Sequence, residues 1–241
     1  MPPRNTVDLV EVTLPDSPDA WRAAGFDVDP TGAFVTGGIW FRCLDAPGSD
    51  VMLGFTAMPS GAGTMEMVDG VPCYQVKRQP SKKALTHPNK VTSLDHLVLR
   101  TDDVSRTRKG LALLGLRPNR ETTAVRMGVH MLFYRLNSTI IEVTGPAKVA
   151  PQSDGKTKVW GLTFTSRDLD ATHAALPEVT KAPWKAVQKG RRITTISGDK
   201  SALSMAVAFL SPYVKDPDAG QDRDEADAQR AREQESQLSK L

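Results

Sequence analysis

The sequence predicts an α+β protein built from repeated βαβββ modules. Residues 92–146 read as strand, helix and three strands; residues 158–212 repeat that order; and the first 60 residues follow it more loosely. At 241 residues, with 39% hydrophobic and 24% charged side chains, the chain has material for a sizeable core.

The central module is the clearest. LDHLVLR (94–100) is a strand in which His96, Val98 and Arg100 share one face and Leu97 and Leu99 the other. Thr101-Asp102-Asp103 starts a helix, because short oxygen side chains accept the free N–H groups of a first turn. Leu111, Leu113 and Leu114 supply its apolar face and Gly115 its stop. Strands follow around 122–126, 129–136 and 139–144. Asn137-Ser138 marks the last turn and Gly145-Pro146 the end.

In the next module, VWGLTFTSRDLDATHAAL aligns Leu162 with Leu97, Asp168 with Asp103 and Thr172 with Thr107, at a repeat of about 66 residues. RRITTIS and SMAVAFLSP are its later strands. The N-terminal unit offers VDLVEVTL as a strand, PDAWRAAGF as a helix, then GAFVTGGIWFRCL and DVMLGFTAM as strands, with Glu11 opposite His96 in the alignment. The expected organisation is a degenerate module at 1–60, a connector at 61–91 in which CYQVKR could add an edge strand, a module at 92–146, a linker at 147–157, a module at 158–213 and a polar, disordered or solvated tail at 214–241.

The net charge of +3 hides an asymmetry: residues 214–241 carry five Lys/Arg against eight Asp/Glu, so the remainder stands at +6. That balance favours small anions without marking a nucleic-acid binder, and only 6% aromatics argues against base stacking. Two cysteines without a CxxC pair suit a reducing compartment. No run of 18 apolar residues occurs and the N-terminus lacks an apolar signal core, so the expectation is a cytoplasmic protein with no membrane partner. GGIW and GAG lack the context of a nucleotide loop, and there is no HExxH.

DHLVLRTDD, LGLRP, FYRL and IIEVTGP, in that order, resemble the glyoxalase, bleomycin-resistance and extradiol dioxygenase superfamily of vicinal oxygen chelate proteins. The strong resemblance covers residues 92–212. It implies paired modules forming a curved mixed sheet around a small-molecule cleft, helices on the outer face, and a homodimer. It also implies a divalent metal ion (Fe, Mn, Ni, Co or Zn) that acts as a Lewis acid in a lyase, isomerase or dioxygenase. His96 on the first strand and Glu142 on the last stand at the two places where a module of that superfamily gives metal ligands or acid–base groups. The matching places in the last module hold Gly161 and Ala208, which carry no donor, so Glu11, His87, His130 or a second chain would have to complete the site. Arg100, His130, Tyr134 and Arg192 (with its neighbour Arg191) are candidate ligand contacts, the guanidinium fork suiting carboxylate or phosphate. Glu142, inside the apolar IIEV, requires a partner if buried. The half-empty ligand set also fits relatives that bind a small molecule without catalysis.

Overall fold

The computed structural model describes residues 5–56, 65–77, 86–125, 128–148 and 155–213; the acidic tail therefore lies outside the described residues. Two sheets carry the fold. The first has six strands in the order β2-β3-β1-β4-β6-β5: β1 Leu9–Leu14, β2 Ala33–Thr36, β3 Ile39–Cys43, β4 Met52–Phe55, β5 Met65–Val68 and β6 Val71–Gln75. The second has eight in the order β12-β13-β14-β11-β7-β10-β9-β8: β7 Val91–Arg100, β8 Arg120–Ala124, β9 Val129–Arg135, β10 Ile140–Pro146, β11 Lys158–Ser166, β12 Trp184–Lys185, β13 Arg192–Thr195 and β14 Ala206–Leu210. The helices are α1 Pro18–Ala23, α2 Val104–Leu113 and α3 Leu169–Ala175. No helix among the described residues is long and apolar enough to cross a membrane.

The eight-stranded sheet is the expected pair of βαβββ modules. In each module the first and last strands run parallel, β7 beside β10 and β11 beside β14, and the two modules meet edge to edge through antiparallel β7 and β11. Register slips in β11 against β7 bend the junction, as extra residues in one strand do. The sequence repeat is physical. Asp103 and Asp168 both cap their helices, accepting from the N–H of Arg106 at 3.0 Å and of Ala171 at 2.9 Å. Thr107 and Thr172 are both fully buried and turn their hydroxyls onto the strand before, to Thr101 at 2.9 Å and Ser166 at 2.7 Å. Leu113, expected on the apolar face of α2, instead points to solvent; Val104, Leu111 and Leu114 do the packing.

The six-stranded sheet repeats the scheme with one strand fewer per half. β1 runs parallel to β3, β4 parallel to β6, and β1 meets β4 antiparallel. GAFVTGGIWFRCL, expected as one strand, folds back on itself as the β2–β3 hairpin. Gly37 and Gly38 have φ of 57° and 86°, left-handed values that a two-residue hairpin turn demands and glycine meets without a Cβ clash. Residues 61–91, expected as an irregular connector, carry β5 and β6.

The two sheets share one interior. Phe164 on β11 lies 4.9 Å from Phe26, 5.5 Å from Phe41 and 6.3 Å from Trp21, measured between ring centroids, and Phe209 adds to the same cluster. Leu9, Val12, Leu53 and Phe55 of the first sheet and Leu97, Leu99, Ile141 and Val143 of the second belong to that one apolar core. Helix α2 packs on β9 and β10 of one sheet and on β5 of the other. The helices do cover the faces away from the clefts, but that side is the middle of the molecule.

Asp69, in the β5–β6 turn, latches the halves together. It accepts from the hydroxyls of Thr107 and Thr157, each at 2.6 Å, and pairs with the Arg106 guanidinium, which also reaches Asp102 at 2.5 Å. Removing a buried carboxylate leaves its donors unsatisfied. With Arg106 one-third exposed, so that solvent recovers part of the loss, Asp69→Ala should cost about 2–4 kcal/mol, read as a lower urea midpoint at unchanged slope.

Candidate functional site

Residues paired across a ladder show their side chains on the same face, so the registers decide which sequence-predicted residues meet. In the β7–β10 pair, Ile140 stands beside His96, Glu142 beside Val98 and Thr144 beside Arg100. Leu97, Leu99, Ile141 and Val143 take the interior face. His96, Arg100 and Glu142 therefore share the outward face. One two-residue step and one strand spacing separate the Cα atoms of His96 and Glu142, about 8 Å. Glu142 is 8% exposed, the buried setting in which a carboxylate requires a partner.

His96 is held in place. Its Nδ1 lies 2.9 Å from Asp95 Oδ1, while Asp95 Oδ2 lies 2.7 Å from an Arg191 guanidinium nitrogen and accepts from the Thr165 hydroxyl at 3.2 Å. Arg191, only 5% exposed, is itself fixed by donating from Nε to the Ser211 carbonyl at 2.8 Å. Neighbours in a regular strand point to opposite faces. Here the register passes from Thr163↔His96 to Phe164↔Leu94, and the extra residue, Asp95, can turn back onto the His96 side. A carboxylate on one ring nitrogen orients the imidazole and leaves Nε2 for chemistry.

Burial alone would push the Asp95 carboxyl up; the hydrogen bond and charge of His96, then those of Arg191, outweigh it and hold the group well below the usual carboxylate range. A group depressed in the folded state stabilises the fold above its unfolded-state value, about 3.9, and that contribution fades as pH falls toward the folded-state value. Asp95→Asn should therefore show a shallower acid limb than the parent protein between pH 5 and pH 2, measured by urea midpoints.

The other predicted contacts do not join this face. His130 and Tyr134 pair with Gly145 and Ile141 and so lie with Leu132 on the helix side of the sheet. His130 Nε2 meets Glu121 at 2.7 Å, and Glu121 pairs with Arg108 of α2 at 2.5 Å. Tyr134 is fully buried; its hydroxyl has no hydrogen-bond partner among the described residues, and burial pushes its pKa up to about 12. Arg192 also takes the helix side, where it grips Asp170 of α3 at 2.7 and 2.9 Å. One alternation along the strand separates each from the cleft. His87 is a core histidine, with Nδ1 accepting from the Asp27 N–H at 3.0 Å and Nε2 3.0 Å from the Val35 carbonyl. Glu11 lies on the outward face of the six-stranded sheet, with the shared interior between it and His96.

That placement bears on the implied metal. His96 and Glu142 supply two donors. Across the same rows stand Val98, Gly161, Ala206, Thr163 and Ala208, none of them a carboxylate, imidazole or thiolate. A Cβ at Gly161 would come within 2.8 Å of the Ala206 carbonyl oxygen, so the backbone there leaves no room for a ligating side chain. Among the described residues no group of three or more His, Cys, Asp or Glu comes together. The residues present do not fit the usual four-ligand site.

A cavity of about 170 Å³ opens at the β9–β10 turn, lined by Asp95 and by residues Arg135 to Ile140, with His96 and Glu142 not among its walls. Ile140 pairs with His96 on one side and Arg135 on the other, which puts the opening in the row of His96. A second cavity, of about 230 Å³, lies between the halves with Asp50 and Lys158 on its wall and includes none of the predicted residues. Sequence reasoning missed Asp95 and Thr165. The adjacent Asp-His pair was in view, but only the register slip shows that both face the same way.

No family model matches the sequence, and no curated protein does. Solved structures that resemble it include methylmalonyl-CoA epimerase from Mycobacterium tuberculosis, at 16% identity and a TM-score of 0.41, covering 52% of this chain and 91% of that one. A methylmalonyl-CoA epimerase of Streptomyces coelicolor in complex with 2-nitronate-propionyl-CoA gives 16% identity, a TM-score of 0.40 and coverage of 52% and 99%. A hypothetical protein from Bacillus halodurans gives 15%, 0.40, and 52% and 96%.

Proposed function

We propose that the outward face of the eight-stranded sheet binds a small oxygen-bearing organic molecule, and that His96 moves a proton on it in an isomerase- or lyase-type reaction of the glyoxalase-like kind. The observation that carries this reading is the register that puts His96 and Glu142 on one face, with His96 Nδ1 held by the Asp95–Arg191 pair. Nε2 of His96 is the base for a C–H beside a carbonyl. The carbonyl takes up the electron pair as an enolate, and Glu142 is the second group able to hold or return a proton. Arg100, on the same face at the end of β7, is a contact for an anionic part of the substrate. The step needs no metal, in keeping with the donor set. The resemblance in DHLVLRTDD and IIEVTGP supports the same reading.

The test is solvent deuterium incorporation into a panel of α-hydroxy ketones, 2-oxo acids and acyl-CoA thioesters, followed by NMR, with and without EDTA. Exchange into one class, indifferent to the chelator and lost in His96→Ala, is the expected result. Thermal stabilisation by a panel member without any exchange would mean instead a binding protein of the same fold.

A further inference from the structure

The six-stranded sheet has an outward face of its own, built like the one that carries His96. The row across the middle of the larger sheet runs Glu142, Val98, Gly161, Ala206, on the strands β10, β7, β11 and β14. The corresponding strands of the smaller sheet, β3, β1, β4 and β6, carry Trp40, Glu11, Gly54 and Tyr74 in one row. Each row holds a glycine in the two-strand junction and a glutamate near it, on the strand outside the junction in the larger sheet (Glu142, β10) and on a junction strand in the smaller (Glu11, β1). In the smaller sheet the polar centre is complete: the Tyr74 hydroxyl donates to Glu11 Oε1 at 2.9 Å and lies 2.9 Å from the Thr13 hydroxyl. Arg42, one rung along beside Thr13, has its Nε 3.5 Å from Glu11 Oε1, and its side chain is 43% exposed. Its half-exposed side chain stands in the next row of the same face as Trp40 and Tyr74. Met52 extends the apolar surface in the row of Arg42.

We propose that this face is a second binding site, for a small organic anion with an apolar or aromatic body: the acid group on the Arg42 fork and the body across Trp40, Tyr74 and Met52. Glu11 is a structural partner here. It neutralises the inner edge of the guanidinium and anchors Tyr74, so the outer edge is left to the ligand. The chemistry differs from that of the first site, where an imidazole faces the cleft; this one binds and does not catalyse.

The probe is 1-anilinonaphthalene-8-sulfonate, titrated into the full chain and displaced by decanoate. Expected are one saturable site, at least ten-fold weaker binding in Arg42→Met, a smaller loss in Arg42→Lys, and unchanged binding in His96→Ala. Binding unchanged in Arg42→Met, or no saturable binding at all, overturns the proposal. So does loss of binding in His96→Ala with Arg42→Met unaffected, which would place the probe on the other sheet. Circular dichroism of each variant shows that the chain is folded. Because His96→Ala and Arg42→Met are scored separately, failure here leaves the reading of the first site standing, and the reverse.

Discussion

Phe164→Ala should lower the unfolding free energy by about 3–5 kcal/mol, the upper range for loss of a buried aromatic ring. Phe164 is fully buried and touches rings from both sheets: Phe26 and Phe41 on one side of the interior, Phe209 on its own. The loss has two parts, the apolar surface no longer withdrawn from water and the void left where neighbours cannot close in. Those neighbours are anchored. Trp21 donates its indole N–H to Asp16 at 3.2 Å, and Phe34 stacks on Phe41 at 4.7 Å. Collapse into the void is therefore limited, and the cost belongs near the top of the range. Phe164→Leu keeps part of the volume and should cost less than half as much. Urea denaturation followed by both tryptophan fluorescence and far-ultraviolet circular dichroism checks this. Equal midpoints for the two probes are expected, because one interior serves both sheets.

His96→Ala should reduce turnover of the substrate found by deuterium exchange by about 10²–10⁴-fold, the range in which a positioned base contributes. Its effect on stability should be small, since the ring is partly exposed and its polar contact, through Nδ1, is to Asp95, which keeps Arg191. Asp95→Asn separates orientation from packing: the amide keeps the shape but loses the charge that favours one tautomer. A loss in kcat of about ten-fold or more, with KM little changed and the lower limb of the pH–rate profile displaced, is the expected pattern. A KM change alone would mean that Asp95 shapes the cavity and not the imidazole. Removing Glu142 as Glu142→Gln should slow exchange without changing the fold.

Much of the second half of the chain was legible in the sequence. Alternation in LDHLVLR and IIEVTGP gave the strands and their faces, because one face is uniformly apolar and packs inward. Asp103 and Asp168 marked both helix starts, and short oxygen side chains at those places could do little else so cheaply. Three features were not legible. The hairpin inside GAFVTGGIWFRCL is hidden because apolar residues run almost unbroken on both sides of the glycines. His130 and Tyr134 carry the parity of Leu132, which fixes them together but does not say whether that parity faces helix or cleft; only pairing with Ile141 decides it. Asp95 depends on a slip of register between two strands far apart in sequence, which no local pattern encodes. Glu11, aligned opposite His96 in the sequence, lies on the outward face of a sheet. It is a different sheet, because the N-terminal module pairs with β4–β6 and not with the central one.

Because the sheets stand back to back, the molecule is two-sided. Their inner walls are separated by a common packed interior that also holds α2, so molecules held on opposite sides never collide. Competition between them is ruled out by thickness alone. Whatever influence one occupant has on the other must travel as a change in how firmly the common filling is held, and it would be read as a shift in melting temperature and not as displacement.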